Sequence, residues 1–131
     1  MANVQGTFTV ASWDENTYAE LGGNGKLTRA TVAFDFTGGV QGRGTWDAVL
    51  CYRDDGTAVF TGMQRMVGEV EGRSGEFVLR ADGTFVGGEA RSEWEVVEGS
   101  GTGELAGLRG AGSATATHEP PGTFSFDYQL G

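Results

Sequence analysis

The sequence has very few of the residues on which most metal and nucleophile chemistry depends. Its 131 residues, enough for one domain over 1–131, include one cysteine, one histidine and two prolines. A structural zinc site takes about four Cys and His ligands and a catalytic one about three protein ligands. We therefore expect no metal site and no cofactor. The lone Cys51 cannot form an internal disulfide, which is typical of proteins in the reducing cytoplasm.

Positive charge is also scarce. Nine Lys and Arg residues stand against 18 Asp and Glu residues, for a net charge of −9, and Lys26 is the only lysine. Nucleic-acid binding needs a basic stripe that displaces phosphate counterions, and the arginines here stand singly among acids. The chain has no long apolar run, and its first eleven residues lack the features of a signal peptide. We therefore expect a cytoplasmic protein that binds neither nucleic acid nor a membrane.

Glycine is abundant instead, with 24 residues, and it argues against a helical fold. Each glycine costs an α-helix about 1 kcal/mol relative to alanine. Segments with strand composition recur between Gly pairs and Asp-Gly turns, as in an antiparallel sandwich or barrel. The eight predicted strands span 6–13, 27–37, 42–53, 57–71, 75–86, 89–97, 110–117 and 123–130.

The hairpin turns are predicted by requiring that paired side chains share one face of the sheet. The turns predicted in this way are a three-residue loop at 54–56 and two-residue turns at 73–74 and 87–88. At 38–39 a two-residue turn would place Phe34 opposite Arg43, so either a third loop residue, Val40, or a bulge is needed. This register gives one apolar inner face with no ionised residue on it.

The inner face supplies the candidate ligand-binding residues. They are Trp46, Ala48, Leu50, Phe60, Met66, Ala81, Ser92 and Trp94. The inner-face glycines 44, 62, 68 and 83 indicate strong strand curvature, space for a ligand, or both. Tyr52, Gln64 and Tyr128 are the candidate catalytic groups. They are either buried polar groups that hydrogen-bond one another or water, or the few polar groups that orient a ligand in an apolar pocket.

A glycine-rich segment at 99–110 has the spacing of a loose dinucleotide-binding pattern, but it lacks the flanking strand and long helix that such a site needs. We predict instead one short helical turn over 104–108, capped by Thr102. Leu105 and Leu108 would then cover one end of the core.

Five motifs carry a resemblance to a known family. They are GTFTVASWDE at 6–15, LTRATV at 27–32, YRDDGTA at 52–58, GRSGEFVL at 72–79 and GSGTGELAGLRG at 99–110. The chain resembles the family catalogued as domain of unknown function 3224, a branch of the allene-oxide-cyclase-like barrels. The resemblance implies an all-β fold, a closed eight-stranded antiparallel barrel that assembles as a homo-oligomer, and no established activity. Its distant relatives include allene oxide cyclases, which fold a lipid epoxide in an apolar cavity.

The chain departs from that family pattern on one side of the barrel. The family tends to carry Glu where Gln64 stands, a large residue where Ala48 stands, and Gln-His where Arg80 and Ala81 stand. These differences imply a larger and more neutral cavity here. The first hypothesis is therefore a barrel that binds a small apolar molecule, or a cyclase or isomerase that acts on a natural-product-like substrate by shape and a few hydrogen bonds. The alternative is a non-enzymatic oligomeric binding or structural protein whose barrel is filled.

Overall fold

The computed structural model describes residues 1–131 and confirms the predicted all-β barrel. Eight antiparallel strands pair in sequence order, and the last pairs with the first to close the barrel. The strands are β1 Ala2–Glu20, β2 Lys26–Gly38, β3 Val40–Tyr52, β4 Ala58–Val70, β5 Arg73–Val86, β6 Glu89–Val96, β7 Arg109–Ala116 and β8 Gly122–Gln129. One 3₁₀ turn, Gly103–Leu105, lies between β6 and β7. The structure contains no helix that is long and apolar enough to span a bilayer.

β1 differs most from the prediction, because it continues for seven residues beyond Trp13, where the predicted strand ends, to Glu20. The polar segment after Trp13 pairs with the start of β2, from Asp14 opposite Thr31 to Glu20 opposite Lys26, with a second bulge that leaves Tyr18 as an extra residue. Strand propensity depends on the partners that a segment packs against, and pairing with β2 here overrides a composition that favours a loop.

A β-bulge in β1 changes which side chains face the interior. Val10 lies opposite Phe34 and Ser12 opposite Ala33, which leaves Ala11 as the extra residue. Side chains alternate between the two faces, so the inserted residue moves the side chains from Ser12 to Thr17, up to the second bulge, to the other face.

Beyond this bulge, Trp13 lies opposite Val32 and Glu15 lies opposite Ala30. Val32 and Ala30 belong to the buried core. Trp13 and Glu15 therefore face the interior, and the prediction that no ionised residue does so is wrong.

Two of the predicted hairpin registers are confirmed. Leu50 pairs with Phe60 across the loop at 54–56, and Ala81 pairs with Trp94 across the turn at 87–88. After 38–39, Phe34 lies opposite Gly44, the register that a third loop residue gives. These pairings follow from the apolar alternation of the sequence alone.

The turn predicted at 73–74 is wrong. Val70 pairs with Arg73, so Glu71 and Gly72 form the two-residue turn. Both have positive φ, 46° and 81°, as a type I′ hairpin turn requires. The predicted and observed partners of each β4 residue differ by an even number of positions in β5, so the same side chains face the interior. Met66 lies opposite Phe77.

The 3₁₀ turn closes one end of the barrel. Leu105 and Leu108 are fully buried beneath it, as predicted. The helical turn is shorter than predicted, and Thr102 does not cap it through its side chain. Its Oγ1 instead accepts a hydrogen bond of 3.1 Å from the backbone N–H of Glu76. This hydrogen bond tethers the turn to β5.

The opposite end of the barrel is open beside β1. This strand pairs with β8 only over Ala2–Phe8, whereas it pairs with β2 as far as Glu20. The far half of β1 therefore has one free edge. Val10 and Trp13 lie at the start of that half, and each is about half exposed, at 52% and 51%.

Three inner-face glycines allow neighbouring strands to approach closely. A Cβ at each would overlap a carbonyl oxygen of the adjacent strand, that of Asp47 for Gly62, of Gln41 for Gly68 and of Arg91 for Gly83. Gly44 instead faces the side chains of Phe36, Met66 and Gln64, at 2.8–3.0 Å from the position of a Cβ. These glycines serve close packing of strands and side chains rather than ligand space.

Replacing Gly83 by alanine tests this close approach. We expect Gly83→Ala to lower the free energy of unfolding by about 1–3 kcal/mol, because its Cβ must displace the backbone of β6. Gly22→Ala is the matched control, since no atom lies within 4 Å of a Cβ there. Urea unfolding followed by tryptophan fluorescence measures both, and equal midpoints for the two variants would contradict the assignment.

Candidate functional site

An apolar cavity of about 130 Å³ lies in the open half of the barrel. Its walls are mainly aromatic, and small side chains leave the space between them. The aromatic residues are Phe8, Trp13, Phe34, Phe36, Trp46, Phe60 and Trp94, and the small ones are Ala81, Ala90, Ser92, Ala114 and Ala116. An engineered apolar cavity of about 150 Å³ in another protein stays dry and binds benzene. The cavity therefore has room for one ring or a short branched chain.

The aromatic walls are held in place by contacts with one another. The rings of Trp46 and Phe60 meet edge to face with centroids 5.1 Å apart, and those of Phe8 and Phe34 do so at 5.6 Å. The indole N–H of Trp46 donates a hydrogen bond of 3.2 Å to the carbonyl oxygen of Ala81. Such fixed walls make the cavity a preformed pocket rather than one that a ligand must open.

Gln64 provides a polar group in the cavity wall. Its Nε2 donates a hydrogen bond of 3.2 Å to Sδ of Met66, and its Oε1 has no protein partner. No fully buried side-chain oxygen or nitrogen lacks a partner. The Oε1 atom of Gln64 is therefore open to the cavity, where it can accept a hydrogen bond from a ligand.

Glu15 is the centre of a polar cluster beside the mouth of the cavity. Its Oε2 accepts hydrogen bonds of 2.6 Å from Thr28 Oγ1 and of 2.6 Å from the Tyr52 hydroxyl. Its Oε1 accepts one of 2.9 Å from Nε1 of Trp13. The ammonium of Lys26 lies 5.1 Å from the centre of the Tyr52 ring. An inward-facing carboxylate is therefore stabilised by three donors and a nearby cation.

These contacts set the protonation states of the cluster. Partial burial raises the pKa of Glu15, but the hydrogen bonds from Thr28, Tyr52 and Trp13 and the charge of Lys26 outweigh it and leave that pKa below its ordinary value. Burial, followed by the hydrogen bond to Glu15 and its charge, raises the pKa of Tyr52 well above its ordinary value. At neutral pH Glu15 is a carboxylate and Tyr52 a neutral donor. No group of three or more Asp, Glu, His or Cys side chains is arranged to hold a metal ion.

The three candidate catalytic residues do not converge on one point. Gln64 lines the cavity, and Tyr52 binds Glu15 at the open end. Tyr128 lies in the core, and its hydroxyl donates to Glu71 in the β4–β5 turn, at the closed end. That hydrogen bond raises the pKa of Tyr128. Tyr128 therefore fastens a turn and has no contact with the cavity.

The candidate ligand-binding residues divide into two groups. Those that line the cavity are Trp46, Phe60, Ala81, Ser92 and Trp94, and those that pack elsewhere in the barrel interior are Ala48, Leu50 and Met66. The sequence analysis missed Trp13 and Glu15. The only signal for them is the motif Ser-Trp-Asp-Glu at 12–15, and it places them inside only when the bulge at Ala11 is known.

The acid stability of the protein tests the Glu15 cluster. The pKa of Glu15 is depressed on folding, so its stabilising contribution is present above its unfolded value, about 4.3, and is lost as the pH falls through the folded value. We therefore expect Glu15→Gln to reduce stability more at pH 7 than at pH 3. Glu20→Gln, an exposed carboxylate on the same strand, is the control. Urea midpoints across this pH range measure the difference, and a deficit that is constant with pH would refute the cluster.

The sequence and the fold both match a family of unknown function. The sequence matches the family described as "Protein of unknown function (DUF3224)" over residues 4–128. The structure is similar to a crystal structure of a protein with unknown function from the DUF3224 family from Shewanella oneidensis MR-1, with a TM-score of 0.85 and 29% sequence identity, over 100% of this chain and 98% of that chain. No curated protein matches the sequence. Because the family match spans nearly the whole chain, the protein belongs to the DUF3224 family, as its motifs predicted.

Proposed function

We propose that this protein binds a small apolar molecule, about one ring in size, in the cavity of its barrel. The observation that carries the proposal is the cavity of about 130 Å³, bounded by aromatic side chains and open at the β1 end. Ligand sites are typically concave and apolar with a few polar groups that fix orientation. The Oε1 atom of Gln64 is such a group here.

The cavity favours ligand binding over a filled structural barrel. Its lining is almost wholly apolar, so water that enters it finds few hydrogen-bond partners. Trp46 and Met66 do not fill it, and small residues such as Ala81 and Ser92 line it. An apolar ligand that occupies the space removes its own surface and that of the lining from water, which favours binding. Cyclisation or isomerisation of the bound molecule, and assembly as a homo-oligomer, stay predictions.

A thermal-shift titration with toluene tests the proposal. At a concentration of about 100 times Kd, a ligand bound only by the folded state adds about 2.7 kcal/mol of stability. We expect toluene to raise Tm, and naphthalene, a larger ring system, to raise it less, because the cavity has room for one ring. Ligand-observed NMR provides a second measurement of binding.

A cavity-filling variant locates the binding. Ala81→Leu places a larger side chain in the cavity and is expected to abolish the toluene shift. Val49→Leu adds apolar volume on the outer face, where Val49 is 39% exposed, and should keep the shift. Circular dichroism checks that both variants fold. The absence of any toluene effect on the wild-type protein would overturn the proposed function.

A further inference from the structure

We propose that the Glu15 carboxylate is a second recognition point at the mouth of the cavity, where it accepts a hydrogen bond from the hydroxyl group of a ligand whose apolar body lies inside. This inference rests on the proposed function and specifies its ligand class as a small apolar alcohol. Neither composition nor strand alternation places Glu15 on the inner face, because only the bulge at Ala11 brings it there.

The carboxylate keeps one unused acceptor position. An ionised carboxylate offers about four lone-pair sites on its two oxygens. Oε2 accepts two hydrogen bonds, from Thr28 and Tyr52, whereas Oε1 accepts only one, from Trp13. No protein donor fills the remaining position on Oε1. Hydrogen bonds to a charged acceptor are stronger than those between neutral groups.

Trp13 connects this oxygen to the cavity. Its side chain lines the cavity, and its Nε1 donates to Oε1 of Glu15. The free acceptor position therefore lies one side chain away from the cavity wall. Trp13 is 51% exposed, which places this contact at the mouth rather than deep in the core. We therefore expect a ligand whose ring occupies the cavity beside Trp13 to reach Oε1 through a polar group attached to that ring by a short link.

The surroundings of Glu15 favour a neutral hydroxyl over a charged group. An anionic head group would be repelled by the carboxylate and by the net charge of −9. A cationic head group would compete with Lys26, whose charge already acts on Glu15. A hydroxyl donates one hydrogen bond and needs no counterion. The other head groups serve as comparisons in the test.

Two probes of nearly the same shape, benzyl alcohol and ethylbenzene, isolate the contribution of the hydroxyl. The measured quantity is the ratio of the ethylbenzene Kd to the benzyl alcohol Kd, from isothermal titration of the full chain. We expect Glu15→Gln to lower this ratio about tenfold, as for loss of a hydrogen bond to a charged group. Glu20→Gln removes the same charge from an exposed position of β1 and should leave the ratio unchanged. Benzylamine and benzoate should each bind the wild-type protein more weakly than benzyl alcohol.

A second measurement, on the wild-type protein, does not depend on whether Glu15→Gln folds. Trp13 donates to the same oxygen that the ligand hydroxyl would reach, so its indole N–H resonance reports on Oε1. Benzyl alcohol should shift that resonance more than ethylbenzene does, and loss of one indole signal in Trp13→Phe assigns it.

Several results would overturn the inference. An unchanged ratio in Glu15→Gln would show that the hydroxyl does not contact Glu15. Equal weakening of both probes would show that Glu15 only positions Trp13. Tighter binding of benzylamine than of benzyl alcohol would contradict the alcohol assignment. In each of these cases the cavity still binds ethylbenzene and the proposed function stands, whereas failure of both probes to bind would overturn both.

Discussion

The β-bulge at Ala11 is the constraint on which the open end of this barrel depends. It lies just beyond the last residue at which β1 pairs with both of its neighbours, β2 and β8. Beyond it, β1 continues along β2 alone with its side chains reversed, so that Trp13 and Glu15 face inward. An aromatic wall and a carboxylate thus reach the cavity mouth through one extra residue.

Small side chains leave space in the barrel, and glycines allow neighbouring strands to approach closely. Gly62, Gly68 and Gly83 stand where the backbone of a neighbouring strand leaves no room for a Cβ. Small side chains such as Ala81 and Ser92 stand where the aromatic rings do not meet. The cavity is therefore a consequence of unequal packing between rigid rings, which close-packed interiors seldom allow.

The polar side chains form different kinds of hydrogen bonds at the two ends of the barrel. At the closed end, Tyr128 fastens the β4–β5 turn through Glu71, and fully buried leucines seal the core. At the open end, Glu15 gathers three donors and keeps one acceptor position. Gln64 lies between them with one free oxygen. The polar groups named at the closed end therefore join elements of the fold, whereas Gln64 and Glu15 lie in and beside the cavity.

The alternation of apolar residues in the sequence by itself determined the strand number, the inner face of six strands (β2–β6 and β8) and two hairpin registers. Period-2 alternation is a local property, and burial of one face requires it. The turn at Glu71 and Gly72 could not be located because an even shift keeps the same face inside. Only the tertiary structure decided that Glu15 lies inside, that Tyr128 lies away from the cavity, and that the β6 backbone leaves no room for a Cβ at Gly83. A bulge, the tilt of a closed barrel and the distance between strand ends arise from pairing around the whole barrel, and no single segment of the chain encodes them.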